Sequence, residues 1–228
     1  MKLVIVIPAY NEEKAIGKVI SGLPKKLPGV KSIAAVIVDD GSSDKTAAAS
    51  RRAGAKLVLR HRINCGKGTA TITGLAAARR LAADMVVTMD ADGQHDPADI
   101  KKLIRPIIKK EAEVVIGSRL LNAKGMPLVK IIGNWLMNGL TFVFSGQLVS
   151  DSQSGMKALS RRALEKIKLD GSGYEIDSEI ILETRRHNLK IIEIPIKVIY
   201  SDYSNLKGQN IFNAVNIFTR LLLRSLTK

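Results

Sequence analysis

The sequence predicts an α/β fold with a mostly parallel central sheet. Short runs rich in Val and Ile recur along the chain, as expected for strands that are buried on both faces of a parallel sheet. Stretches of helical composition alternate with these runs in the amino-terminal half, which is typical of parallel strands joined by right-handed helical crossovers. The 228 residues, of which 46% are hydrophobic, are enough to bury one large core.

In the amino-terminal half, strands are predicted over residues 3–7, 34–38, 56–59, 85–89 and 114–116. Helices are predicted between them, over residues 12–23, 45–53, 69–82 and 97–109. Pro97 suits a first helical turn, and Asp96 before it is a suitable cap. This half should therefore provide the parallel part of the sheet.

The carboxyl-terminal half has a different pattern. We expect a long apolar helix over residues 127–148, a strand over 156–159, helices over 161–167 and 176–188, and a strand over 191–198. A last helix over 210–226 has one apolar stripe flanked by basic residues. Such a stripe fits either a helix packed on protein or one that lies on a membrane. We predict a main domain over residues 1–209 and a basic amphipathic helix over 210–228 that could contact a membrane.

The balance of charges predicts an anionic partner. Lys and Arg number 36 against 21 Asp and Glu, which gives a net charge of +15 at pH 7. Nucleic acid, anionic lipid and phosphorylated metabolites are all suitable partners. Only 4% of the residues are aromatic, and no basic run is interleaved with Phe or Tyr, so the stacking surfaces of a single-strand binder are missing. No nucleic-acid partner is therefore expected.

The amino terminus and the cysteine content predict a cytoplasmic protein. The chain opens into an apolar run without the layout of a signal peptide, and its single cysteine, Cys65, has no partner for an internal disulfide. The uncharged stretch over residues 131–150 approaches the length of a membrane span, but glycines and polar side chains interrupt it. His61, His95 and His187 are too scattered, and Cys65 too isolated, to indicate a zinc site.

The residues that follow the predicted strands are those most suited to chemistry. In open α/β sheets, ligands bind beyond the carboxyl ends of the strands. The segments at those ends are Pro8-Ala9-Tyr10-Asn11-Glu12, Asp39-Asp40-Gly41-Ser42-Ser43-Asp44, Asp90-Ala91-Asp92-Gly93-Gln94-His95 and Gly117-Ser118-Arg119. Carboxylate clusters and an arginine are therefore expected to meet at one edge of the sheet.

Asp90, Asp92 and Gln94 predict a metal site. Their carboxylate and amide oxygens are hard ligands that suit Mg²⁺ or Mn²⁺, with substrate phosphates and water completing the coordination. An isolated Asp-x-Asp is more often only a polar turn. The other strand-end residues favour the metal here. Such a cation would neutralise the charge of bound phosphates.

With these motifs in this order, the sequence resembles glycosyltransferase family 2, and within it the dolichol-phosphate and polyprenyl-phosphate sugar transferases. The resemblance runs from about Val4 to Lys207 and includes Gly66-Lys67-Gly68, Asp151-Ser152-Gln153-Ser154-Gly155 and Glu193-Ile194-Pro195-Ile196. Each motif is weak alone, and their combination is specific. It implies a GT-A fold, which is a Rossmann-like nucleotide-sugar-binding fold, as a catalytic domain over residues 1–209. It also implies a UDP- or GDP-sugar donor, a divalent cation and inversion at the sugar carbon.

The resemblance implies roles for individual residues as well. The donor pocket would contain Pro8, Ala9, Tyr10, Glu12, Asp40, Lys67, Asp90, Ala91, Asp92 and Lys207, and the metal would be held by Asp90, Asp92 and Gln94. Arg119 would contact phosphate, since its forked guanidinium suits bidentate binding. Asp39 and Asp44 are interpreted instead as structural, one orienting its turn and the other capping the next helix.

The catalytic residues that the resemblance implies are Asp92, Arg119 and Asp151. An acceptor phosphate is already ionised near neutral pH, so Asp151 would need only to orient the acceptor or the sugar, whereas a hydroxyl acceptor would require a base. Met156-Lys157 stands where the branch commonly has Phe-Arg. In the acidic run at residues 175–179 the resemblance favours Glu179 as the residue that faces the site, and the helix dipole explains most of the other acids.

The predicted function is transfer of a sugar from a UDP- or GDP-sugar to a polyprenyl or dolichyl phosphate. The protein would lie peripherally on the cytoplasmic face of an anionic membrane. One alternative is a family 2 transferase that acts on a saccharide hydroxyl. The other is a non-catalytic phosphate or nucleic-acid binding module, which the intact Asp-x-Asp disfavours because carboxylates repel phosphate unless a metal intervenes.

Overall fold

A seven-stranded sheet organises the part of the chain that the computed structural model describes, residues 1–123 and 126–199. Its strands are β1 Lys2–Ala9, β2 Ser32–Asp39, β3 Leu57–Arg60, β4 Met85–Thr88, β5 Val114–Ser118, β6 Lys157–Ser160 and β7 Ile191–Pro195. Their order across the sheet is β3-β2-β1-β4-β6-β5-β7. β6 runs antiparallel to both of its neighbours, and the other strands run parallel to one another. The predicted α/β class and mostly parallel sheet are confirmed.

The helices of the described residues follow the predicted order. They are α1 Ile16–Ser21, α2 Thr46–Arg52, α3 Lys67–Arg80, α4 Ile100–Ile108, α5 Leu128–Ser145, α6 Arg161–Lys166 and α7 Ile176–Arg186. The helix predicted over 97–109 divides into a 3-10 turn, Pro97–Asp99, and α4. Asp96 caps that turn as expected, because its Oδ1 accepts a hydrogen bond from Ala98 N at 2.9 Å.

α1 begins later than predicted because the residues before it are hydrogen-bonded to the start of α2. The backbone nitrogen of Glu12 donates to Thr46 Oγ1 at 2.8 Å. The carbonyl of Glu12 accepts from Ala15 N and Ile16 N, which closes a turn ahead of the helix. The segment after β1 is thus a loop fixed to the start of α2, and it remains at the edge of the sheet.

Both faces of the sheet are covered, as the apolar strand runs indicated. Along β1, Leu3 and Ile5 pack on the face covered by α1 and α4, whereas Val4 and Val6 pack on the face covered by α3 and α6. α3 approaches β1 closely, since a Cβ on its Gly74 would lie 2.2 Å from Val6 Cγ1. This packing fixes the strand ends that carry the polar loops.

α5 lies largely outside this core. Of its 18 residues only Met137 and Thr141 are buried. Seven of its large apolar side chains are 44–75% exposed, namely Leu128, Val129, Ile132, Trp135, Leu136, Phe142 and Val143. Among the described residues it is the one helix whose length and composition suit a membrane span. The helix predicted over 210–226, and Lys207, lie outside the described residues.

Candidate active site

The loops after β1 and β2 are joined at the carboxyl edge of the sheet. Asn11, whose φ is +53°, donates its backbone N–H to Ser42 Oγ at 2.9 Å. Its side-chain oxygen accepts from Ser43 N at 2.9 Å. Beside it, Tyr10 is 45% exposed and Glu12 is buried. The predicted donor residues of the first loop therefore lie next to the second loop, with the Tyr10 ring open to a ligand.

Asp40 is held by the loop that follows β3. One of its oxygens lies 2.6 Å from His61 Nδ1 and accepts from Cys65 N at 3.0 Å, and the other accepts from Gly66 N at 2.8 Å. His61 Nε2 lies 3.0 Å from Thr73 Oγ1. The ligand atoms of Asp40, His61 and Cys65 lie within 4.8 Å of one another. The expectation that Cys65 is isolated from other possible ligands is therefore wrong, because two successive strand ends bring Asp40 and His61 next to it.

Asp39 and Asp44 have the structural roles that were expected. Asp39 is fully buried, its Oδ1 accepts from Ser42 N at 3.0 Å, and Arg60 Nε lies 3.2 Å from its Oδ2. Asp44 accepts from Thr46 N, the first residue of α2, at 2.9 Å. Both carboxylates shape the turn after β2.

Asp90, Asp92 and Gln94 follow β4 in one tight loop. Asp92 Oδ1 accepts from Gln94 N at 2.9 Å. Burial and the neighbouring charge of Asp90 raise the pKa of Asp92. Gly155 lies against the first carboxylate, since a Cβ there would fall 2.0 Å from Asp90 Oδ2. His95 is buried behind this loop, with its Nδ1 3.9 Å from that same oxygen.

The chemistry of this donor set fits a divalent cation. Burial and, after it, the charge of Asp90 raise the pKa of Asp92, and a bound cation would offset both effects. The Lys67 ammonium lies 2.8 Å from Asp90 Oδ1, so this carboxylate already binds one positive charge. Carboxylate and amide oxygens are also the ligands that Mg²⁺ and Mn²⁺ prefer. The assignment of Asp90, Asp92 and Gln94 to a metal is compatible with this geometry and stays a prediction.

Lys67 belongs to a line of alternating charges. Its Nζ bridges Asp90 and Asp177, at 2.8 Å from Asp90 Oδ1 and 3.0 Å from Asp177 Oδ2. Asp177 Oδ1 in turn lies 2.7 Å from Nζ of Lys157, which is fully buried and also bonds the Ser154 carbonyl. Burial lowers the pKa of Lys67, but the charges of Asp177 and Asp90 outweigh this effect and hold the pKa above its usual value. Burial raises the pKa of Asp90, but Lys67 and His95 outweigh this effect and hold the pKa well below its usual value.

The two glycines around Lys67 allow a close approach between backbones. Gly66 has φ +94°, and a Cβ on it would lie 2.3 Å from the Ser172 carbonyl oxygen. Gly68 N donates to that carbonyl at 2.8 Å, and a Cβ on Gly68 would lie 2.1 Å from the Gly171 oxygen. The motif Gly66-Lys67-Gly68 therefore fixes Lys67 against the loop before α7. It is not a phosphate-binding loop of the P-loop kind.

Arg119 and Asp151 form a buried, two-pronged ion pair. The guanidinium donates to both carboxylate oxygens at 2.7 Å, and Asp151 is fully buried. Although burial raises it, the Arg119 charge holds the pKa of Asp151 below its usual value. Glu193 holds the adjoining loop, because its carboxylate accepts from Ser150 N at 2.9 Å and from Asp151 N at 3.3 Å.

The acidic run before and within α7 also provides a contact to Lys67 that the sequence did not indicate, and the expected role of Glu179 at the site stays a prediction. Glu179 is fully buried, and its oxygens accept from Asp170 N at 2.7 Å and from Gly171 N at 2.8 Å. It therefore shapes the loop that contacts the glycines, and Asp177 is the acid that reaches Lys67. Sequence reasoning missed Asp177 and its partner Lys157 because they lie far apart in the chain. Acids spaced two residues apart on one helix did not indicate which of them contacts Lys67.

Comparisons with known proteins agree with this architecture. The family model described as glycosyl transferase family 2 matches residues 4–168. The UDP-N-acetylglucosamine--dolichyl-phosphate N-acetylglucosaminyltransferase of Methanococcus voltae is 40% identical over 245 aligned positions, covering 98% of this chain and 96% of that protein. The dolichol-phosphate mannosyltransferase of Pyrococcus furiosus is 30% identical, over 97% of this chain and 64% of that protein. The chain belongs to glycosyl transferase family 2.

Solved structures show the fold of this glycosyltransferase. Glucosyl-3-phosphoglycerate synthase from Mycobacterium tuberculosis, in complex with Mn²⁺, UDP and glucosyl-3-phosphoglycerate, superposes with a TM-score of 0.73. The two are 22% identical, over 98% of this chain and 79% of that one. The predicted GT-A fold and transferase activity class are confirmed. The donor-pocket, metal and catalytic assignments of the individual residues stay predictions.

Proposed function

We propose that this family 2 glycosyltransferase inverts the sugar carbon as it moves a sugar from a UDP- or GDP-sugar to a polyprenyl or dolichyl phosphate. The observation that carries the proposal is the grouping of Asp90 and Asp92 with the cations Lys67 and Arg119 at one edge of the sheet. Carboxylates that can bind a metal, next to fixed cations, suit a ligand with several phosphate charges. Two relatives at 30–40% identity, named for dolichyl phosphate or dolichol phosphate, support the choice of acceptor.

Asp90, Asp92 and Gln94 would hold Mg²⁺ or Mn²⁺. When bound, the cation would neutralise the charge that develops on the diphosphate leaving group. Asp92 is suited to this role because burial and Asp90 raise its pKa, and a cation beside it would favour the ionised form. By the resemblance, the nucleoside would lie among Pro8, Ala9, Tyr10, Glu12 and Asp40. Ala91 would also line the nucleotide-sugar pocket, and Lys207 would be the candidate contact to the diphosphate.

Arg119 would bind phosphate, and Asp151 would position Arg119. Nε and Nη2 of the guanidinium face Asp151, so Nη1 is the nitrogen left to meet a phosphate. An ionised acceptor phosphate can attack the sugar carbon through its own oxygen. It therefore needs orientation and charge neutralisation from the protein rather than a strong base. Lys67, 18% exposed, would neutralise charge on the donor side.

The burial of Asp151 argues against a saccharide hydroxyl as acceptor. Such an acceptor needs a base that reaches it, and Asp151 has no exposed surface, a carboxylate fully engaged by Arg119 and a lowered pKa. A carboxylate in this state is a weak and inaccessible base. The buried ion pair therefore favours the phosphate acceptor.

We further propose that the protein lies peripherally on the cytoplasmic face of an anionic membrane. The exposed apolar side chains of α5 provide one contact surface, and the predicted amphipathic helix over 210–228 provides another. α5 is joined to the site through Asn138, which donates to the Ser150 carbonyl and accepts from Ser152 N at 2.8 Å. These residues flank Asp151, so a lipid phosphate held at the interface would be close to Arg119.

The decisive experiment is a donor and acceptor screen. Purified enzyme is incubated with single UDP- and GDP-sugars, with polyprenyl phosphate or a free saccharide, and the products are identified by mass spectrometry. We expect a lipid-linked monosaccharide from one donor, formed with Mg²⁺ or Mn²⁺ and not by the Asp92→Ala variant. Sugar transfer to the saccharide alone would overturn the acceptor, and transfer at full rate in chelator would overturn the metal.

A further inference from the structure

We propose that Lys67 is the counter-ion of Asp90 in the metal-free enzyme, and that Asp177 takes over the Lys67 ammonium when a divalent cation binds. Lys67 Nζ lies between the two carboxylates, 2.8 Å from Asp90 Oδ1 and 3.0 Å from Asp177 Oδ2. One ammonium thus contacts two carboxylates at once, of which only Asp90 belongs to the predicted metal site. The inference rests on the proposed function for the identity of that site.

The backbone of Lys67 is fixed, so that only its side chain can respond. Gly66 and Gly68 on either side press against the carbonyls of Ser172 and Gly171. Neither glycine has room for a Cβ, which shows how close the two backbones are. The ammonium is also 5.7 Å from the centre of the Tyr174 ring, a cation–π contact that keeps it near Asp177. A small rotation of the side chain is enough to leave Asp90.

Asp177 is positioned to bind the Lys67 ammonium after it leaves Asp90. It is buried, and Lys157 fixes its Oδ1 at 2.7 Å, so that Oδ2 faces Lys67. Lys157 is fully buried and also bonds the Ser154 carbonyl, which holds the pair rigid. A carboxylate so fixed can keep the Lys67 charge without a change in the fold.

The charges of the group explain why a metal must displace Lys67. Asp90, Asp92 and Asp177 with Lys67 and Lys157 leave one net negative charge. A divalent cation changes that charge to one net positive, which suits a diphosphate. Because the cation and the ammonium would share Asp90, they repel each other, and the cation binds more weakly while Lys67 remains there. Lys67 then leaves Asp90 and is held by Asp177 alone.

Binding of Mn²⁺ alone, without nucleotide, tests the proposal. Free Mn²⁺ is measured by electron paramagnetic resonance during titration of the purified enzyme. Lys67→Met should bind Mn²⁺ about tenfold more tightly than wild type, as expected for one ammonium removed from a partly exposed site. Asp177→Asn should bind more weakly, because Lys67 then rests on Asp90 alone. This second effect should shrink in the Lys67→Met background, since Asp177 acts through Lys67.

Lys102→Met is the matched control. Lys102 pairs with Asp99 at 2.6 Å outside the site, so its loss should leave Mn²⁺ binding unchanged. Circular dichroism and thermal melting monitor folding. If Asp177→Asn fails to fold because Lys157 is left buried and unpaired, Asp177→Asn combined with Lys157→Met replaces both charges.

Equal Mn²⁺ affinity in Lys67→Met and wild type would overturn the counter-ion role. An Asp177→Asn effect of the same size with and without Lys67 would overturn the transfer to Asp177. The binding assay is independent of sugar transfer. An enzyme that transfers sugar to a lipid phosphate but fails this assay would refute the inference alone, whereas tighter Mn²⁺ binding without any such transfer would refute the proposed function alone.

Discussion

Asp151 binds one edge of the Arg119 guanidinium with both of its carboxylate oxygens. Nε donates to Oδ2 and Nη2 donates to Oδ1, each at 2.7 Å, and the backbone N of Arg119 donates to Oδ2 at 2.9 Å. The acid is fully buried, whereas the Arg119 side chain is 18% exposed. The carboxylate therefore fixes the orientation of the guanidinium and leaves Nη1 outside the pair with Asp151.

We predict that Arg119→Lys lowers kcat by about 100-fold, because a single ammonium cannot keep both bonds to Asp151 and also meet a phosphate. The variant should also lose stability, on the order of 1–3 kcal/mol, since the buried carboxylate loses a hydrogen bond. Steady-state kinetics and thermal melting measure the two effects. Arg161→Lys is the control, because Arg161 pairs with Asp84 at the same 2.7 Å distance but is 51% exposed. Unchanged turnover per folded Arg119→Lys molecule would make Arg119 purely structural.

The ion pair also predicts how stability depends on pH. Arg119 holds the pKa of Asp151 below the ordinary value of 3.8, so the pair stabilises the folded state fully above that pH. The stabilisation is lost as the pH falls through the lower, folded-state pKa. Asp151→Asn should therefore be less stable than wild type at pH 7, and the difference should narrow below pH 3.8. Urea unfolding from pH 7 down to the acid limit of folding measures it, and a constant difference would contradict the coupling.

Asp92→Ala should lower turnover by at least about 100-fold, because it removes a predicted metal ligand and not a packing contact. The affinity of the variant for Mn²⁺, measured by titration, should also fall, while its melting temperature stays near that of wild type. Asp96→Asn is the control, since it neutralises a nearby acid that only caps the next turn. Full activity of Asp92→Ala in the presence of chelator would remove Asp92 from the metal site.

The sequence predicted positions best for candidate site residues that are adjacent in the chain. Asp90, Asp92 and Gln94 share one loop, and the strand pattern alone placed that loop at the carboxyl edge. Asp39 and Asp44 were also interpreted correctly, since turns and caps depend on local hydrogen bonds. The order of strands and helices was predicted for the same reason, because the burial of a strand on both faces of the sheet is visible in its local composition.

Contacts between distant segments were the part that the sequence did not predict. Asp177 meets Lys67 across 110 positions, and Asp40 meets His61 only because β2 and β3 are neighbours. No periodicity distinguishes Asp177 from Glu179, as both lie in the first turn of α7. That Asp177 reaches Lys67 depends on how α7 packs against α3, and that packing is set by the tertiary fold.

Gly68→Ala should destabilise the protein by about 1–3 kcal/mol, because the new Cβ would meet backbone that cannot yield. That Cβ would lie 2.1 Å from the Gly171 carbonyl oxygen. Gly139→Ala in α5 is the matched control, since no atom lies within 4 Å of its Cβ position. The control should be more stable than wild type by about 0.5–1 kcal/mol, from helix propensity alone. Chemical denaturation compares the two, and equal stability would contradict the close approach.

The α5 surface predicts where the protein meets the membrane, and Trp135 can report it. Trp135 is the single tryptophan of the chain and is 69% exposed, so its fluorescence is that of one site in water. Anionic vesicles should shift its emission to the blue, and brominated acyl chains should quench it, because Trp side chains favour the membrane interface. Ile132→Ser should weaken vesicle cosedimentation more than Ile63→Ser, although both side chains are about equally exposed, at 68% and 70%. Cosedimentation that persists without any shift in Trp135 emission would exclude α5 as the contact. Loss of that binding on truncation after Gln209 would then assign it to the last helix.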